Sequence, residues 1–114
     1  MERQYAIYDI IARIRPRPAM FLGDCSLVRM RAFIDGCTFM AQELGVEQHP
    51  DFRGFHDWVA RKFGWGESTA GWCNIILQEC GGDDRKAMET FFELVDEYRE
   101  TPGGRPQVSQ GCRR

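Results

Sequence analysis

Two prolines, Pro16 and Pro18, stand two residues apart inside the run Ile14-Arg15-Pro16-Arg17-Pro18-Ala19-Met20-Phe21-Leu22-Gly23. A helix interior tolerates neither, because proline lacks the N–H and its ring collides with the preceding turn. An arginine precedes each proline, and a residue before proline is pushed towards extended backbone. The run therefore divides the chain. The first helix has to end near Ile14, and the next starts afresh near Ser26. The expectation is an extended Arg-Pro segment between the first and second helices.

On both sides the apolar residues recur at helical spacing. Ile7, Ile10, Ile11 and Ile14 share one stripe of a helix from about Arg3 to Ile14. Isoleucine also suits strands, so a strand is the alternative here; spacing in threes and fours, not alternation, decides for helix. Ser26 can cap a second and longest helix, in which Leu27, Met30, Ile34, Cys37, Ala41 and Leu44 repeat before Gly45 at C′. Phe33 and Phe39 fall off that stripe, which predicts neighbours on more than one side. Asp51 can cap a third helix with Phe52, Phe55, Val59 and Phe63 aligned, Trp58 beside them and Gly64 at the end. A glycine-punctuated loop, 64–72, leads to a fourth helix capped by Ser68 or Thr69, with Trp72, Ile75, Ile76 and Cys80 inward. Asp83 caps a fifth, in which Ala87, Phe91, Leu94, Val95 and Tyr98 form an apolar face that Met88 and Phe92 extend sideways. Thr101-Pro102-Gly103-Gly104 ends it. This reads as an all-α fold: one domain of about five helices over residues 1–101, then a flexible polar tail over 102–114.

A chain of 114 residues fits one domain and can bury a core without metal or disulfide staples. Five cysteines, an odd number without a CxxC pair, suit reduced thiols in the cytoplasm. No leader opens the chain and no apolar run is long enough to span a bilayer. Charge is uneven along the sequence. Residues 1–40 carry six Arg against four acids, residues 79–100 three bases against eight acids, and the last fourteen residues three Arg and no acid. An acidic last helix suits a basic protein partner and argues against general nucleic-acid binding.

Catalytic signatures are missing. His56, Cys73 and Cys80 match no finger or knuckle spacing, and a cysteine on an amphipathic helix ordinarily packs as a small hydrophobe, so no metal is expected. Cys25 precedes a helix start that can lower its pKa, but the sequence sets no histidine against it. The carboxylates of the last helix read as a solvated face, or as a face complementary to a basic partner. Gly64, Gly66 and Gly71 follow no strand and precede no lysine, so they make no phosphate cradle. No cofactor is implied.

Arg15 and Arg17, with Met20 and Phe21, form the one candidate ligand loop, for a nucleotide or other small ligand. The segment Ile14–Gly23 resembles the N-terminal Val-Arg-x-Arg-Pro-x-Met-Tyr-Ile-Gly of the type II topoisomerase ATPase subunit over ten residues. That family's catalytic Glu, metal-binding Asn and Asp-x-Gly-x-Gly motif have no counterpart, so ATP binding does not carry over. A second resemblance spans most of the chain. The order is Ile-Arg-x-Arg-Pro-x-Met-(Phe/Tyr)-Leu-Gly, Ser26-Leu27, Phe33-Ile34-x-Gly36, Phe55-x-x-Trp58-Val59, a further Trp, then Ala87 and Phe91-Phe92-x-Leu94. This is similar to small bacterial proteins, some of them like immunity proteins of contact-dependent growth inhibition and related polymorphic toxin systems. The resemblance implies a cytoplasmic helical protein, not an enzyme, that binds and neutralises one cognate toxin, often a nuclease. Candidate contacts are Asp83, Asp84, Glu89, Glu93, Asp96, Glu97 and Glu100, with Met88, Phe92 or Trp65 as apolar anchors. The expected state is a monomer or weak dimer.

Overall fold

A computed structural model of the chain describes residues 4–5, 7–48, 52, 54–65 and 71–100. The expected tail over 102–114 and the residues Asp51, Ser68 and Thr69 lie outside the described residues, but the helices these three were expected to cap begin later in the chain, after Gly54 and Gly71, so none of the three is the cap. The fold is all-α, with six helices among the described residues where about five were expected. No described helix is long and apolar enough to cross a membrane. The chain divides into two compact units, Met1–Phe52 and Arg53–Arg114.

The first unit contains α1 (Ile7–Ile14), α2 (Pro18–Leu22) and α3 (Leu27–Glu43). Two two-residue strands, β1 (Gln4–Tyr5) and β2 (Glu47–Gln48), pair in parallel, with Gln4 opposite Glu47 and Tyr5 opposite Gln48. Helix α1 thus starts at Ile7 rather than Arg3. It buries Ile7, Tyr8, Ile11 and Ile14, while Ile10 is half-buried. The Tyr8 ring meets Phe52 edge-on at 5.9 Å.

The Arg-Pro segment is not extended throughout, as the sequence had suggested. Residues 15 and 16 form a turn, and Arg17, at φ −145° and ψ 68°, is neither helical nor fully extended. Pro18 then opens α2 within its first turn, where the missing N–H would be unbonded in any case and the fixed φ already suits a helix. The prolines therefore separate two helices and also start the second. Helix α2 ends at Gly23, whose N–H bonds the Ala19 carbonyl at a φ of 83°. Arg29 reaches back from α3 to donate Nη1 to the Leu22 carbonyl at 2.8 Å.

Ser26 caps α3 as expected, its hydroxyl accepting from the Arg29 N–H. At the other end the Gly45 N–H bonds Gln42 and the Val46 N–H bonds Ala41. That pair of bonds is a Schellman closure, and it needs the left-handed φ of 69° at Gly45. Leu27, Met30, Ile34 and Ala41 are buried along one side. Phe39 does not find the second neighbour that its position predicted: it is 59% exposed.

The second unit contains α4 (Phe55–Lys62), α5 (Trp72–Glu79) and α6 (Asp84–Arg99). Phe55 is its hub. Its ring lies 5.3 Å from Tyr98, 5.5 Å from Trp72, 5.9 Å from Phe91 and 6.1 Å from Trp58. Trp72 also stacks on Phe91 at 4.9 Å. Rings packed edge-to-face and offset contribute beyond the area they bury, which suits a small unit with few aliphatic residues. Ile75 and Ile76 of α5 and Val59 and Ala60 of α4 complete this core.

Candidate functional site on helix α6

Helix α6 is set in place by its apolar side. Ala87, Met88, Phe91, Phe92, Leu94, Val95 and Tyr98 are all buried. Asp83 caps the start, its Oδ1 accepting from the Lys86 N–H at 3.2 Å. Asp84 occupies the first turn, where a negative charge meets the positive end of the helix dipole. These two carboxylates therefore have a structural role.

Four others fall in steps of four, three and four residues: Glu89, Glu93, Asp96 and Glu100. At 3.6 residues per turn they lie within about 60° of arc. All four are exposed, opposite the buried side. Like charges at this spacing destabilise a helix by about 0.2–0.5 kcal/mol per pair. Bases on the same helix offset part of this: Arg85 and Lys86 stand four and three residues before Glu89, and Arg99 three after Asp96.

Glu97 stands apart from the stripe. Its Oε2 pairs with Lys62 Nζ at 2.9 Å, and the same ammonium lies 5.7 Å from the Trp58 ring centre. This contact ties α6 to α4, so Glu97 is already committed within the unit. The Trp58 ring is fully buried, and its Nε1 has no hydrogen-bond partner among the described residues.

The expected apolar anchors are corrected. Met88 and Phe92 are 2% and 6% exposed and belong to the core, because the apolar side of α6 is broad enough to take them in. Trp65 is half-buried, and its indole N–H donates to Glu79 Oε2 at 2.9 Å. That bond holds the indole N–H beside the end of α5, and the residue keeps part of its surface exposed.

The alternative ligand loop lies in the first unit. Leu22 turns inward, while Arg13, Arg15, Arg17, Met20 and Phe21 are all exposed. Cys25 is half-buried, and its N–H donates to the neighbouring Asp24 carboxylate at 2.7 Å. Cys73 is buried on α5, and the Cys80 thiol lies 3.5 Å from the Thr90 hydroxyl. No three His, Cys, Asp or Glu side chains converge on a metal position among the described residues.

The sequence signalled the carboxylates by their number. It marked Asp83 as the cap but did not show that Glu97 pairs with Lys62; within the stripe Asp96 is engaged in the chain as well. Compared with known proteins, the chain matches no family model, no curated protein and no solved structure.

Proposed function

We propose that this chain is an immunity-type protein: it binds one basic bacterial toxin and neutralises it by covering the toxin's active site, without catalysis of its own. The observation that carries the reading is the stripe Glu89, Glu93, Asp96 and Glu100, exposed on a helix whose other side is locked into an aromatic core. A rigid line of like charge loses little conformational freedom on binding and accelerates capture of an oppositely charged surface. The open part of Trp65 offers an aromatic contact in the same unit, and tryptophan is a frequent anchor of interfaces. The resemblance of the motif order to immunity proteins supports the same class.

The experiment pairs the chain with the product of the adjacent upstream gene, since an immunity protein is usually encoded next to its toxin. The expected results are co-purification of the two and loss of the toxin's activity at one equivalent of chain. A toxin that keeps its activity in excess chain contradicts the proposal.

A further inference from the structure

Helix α3 carries a second surface, and it is apolar. Val28, Ala32, Gly36, Met40 and Leu44 succeed one another at steps of four, and every one is exposed. Val28 is 53%, Met40 51% and Leu44 70% exposed, with Phe39 beside the row at 59%. Rows at this spacing form the ridges by which helices most often pack on one another.

Gly36 occupies the middle of the row and of a 17-residue helix. Glycine there costs about 1 kcal/mol relative to alanine. A Cβ added at Gly36 would meet nothing within 4 Å, so packing inside the chain does not require the glycine. Close approach of another backbone would.

We infer that this face is a two-fold interface between copies of the chain, with two α3 helices crossing antiparallel at Gly36. The row is complementary to itself about that point. Gly36 meets Gly36, small Ala32 meets long Met40, and Val28 meets Leu44 of the second copy. The flanking charges obey the same symmetry. Arg29 and Glu43, both exposed, are equally far from Gly36, so each Arg29 comes to a Glu43 of the second copy. Arg29 uses Nη1 for the Leu22 carbonyl and keeps its other guanidinium donors for that pair. An antiparallel two-fold is the arrangement that satisfies both the size pattern and the charge pattern, and two-fold dimers are the commonest assemblies.

Sedimentation of the full chain from about 1 μM to about 1 mM tests this. The mass is expected to rise from 13.2 kDa towards twice that value as concentration increases. Met40→Glu places a carboxylate in the contact, and Glu43→Arg sets like charge against Arg29 of the second copy. Each is expected to weaken dimerisation at least about tenfold with helical circular dichroism unchanged, because both positions are exposed in the single chain. Two variants guard against misfolding in one of them. A chain that stays at 13.2 kDa throughout overturns the inference. A dimer indifferent to both substitutions does so as well, since it forms elsewhere. So does a monomer that sediments with anionic phospholipid vesicles in a manner lost in Met40→Glu, which assigns the face to lipid.

Discussion

Gly23 is held by two independent constraints. Its φ of 83° disfavours any side chain, and a Cβ would stand 2.6 Å from the Arg29 Nη1 that closes α2. Gly23→Ala should therefore lower stability by about 1–2 kcal/mol, read as a reduced denaturant midpoint at unchanged slope. Phe55 poses a different case, a ring with four aromatic neighbours and no exposed surface. Phe55→Ala leaves a cavity among rings that cannot close over it, and the expected loss is about 3–5 kcal/mol in the same measurement. Lys62 bridges Glu97 and the Trp58 ring from a partly exposed position. Lys62→Met should change stability by less than about 1 kcal/mol, because a solvated ion pair contributes little. A larger loss would mean that the contact is shielded from water more than its exposure implies.

At the scale of elements, helix periodicity was the strongest signal in the sequence. The caps at Ser26 and Asp83, the closure at Gly45 and the buried face of α6 are legible from residue type and spacing; on α3 the expected stripe holds for Leu27, Met30, Ile34 and Ala41 but not for Leu44, which is 70% exposed because it lies past the last helical turn. The Arg-Pro segment departs from the expected extended form because proline has two meanings. It breaks a helix interior, yet Pro18 starts α2, and the sequence alone does not say which role applies. Phe39 is exposed for a reason that spacing does not carry. An off-stripe aromatic predicts a neighbour but does not say whether that neighbour belongs to the same chain. Gly36 belongs to this scale too. In the Met40→Glu background, where the α3 contact is removed, Gly36→Ala should raise stability by about 0.5–1 kcal/mol, measured by thermal unfolding. In the unsubstituted chain the same change should weaken the dimer, so stability and association move in opposite directions.

For the whole molecule, the two surfaces differ in character and lie in different units. The first unit offers an apolar row suited to a like copy, and the second a line of carboxylates suited to a basic protein. Composition had shown the charge imbalance. The separation into two kinds of surface depended on which side of each helix is buried, and that comes from packing rather than from any local pattern. Met88 and Phe92 show this most clearly, being apolar neighbours of the stripe that packing takes into the core. The most direct measurement of the central claim is the association rate of the chain with the product of the adjacent upstream gene, at low and high salt. The account predicts a rate that falls steeply with added salt, and a Glu89→Lys/Glu93→Lys chain of unchanged fold that associates about tenfold or more slowly. Equal rates for the two chains, or a rate indifferent to salt, would contradict it.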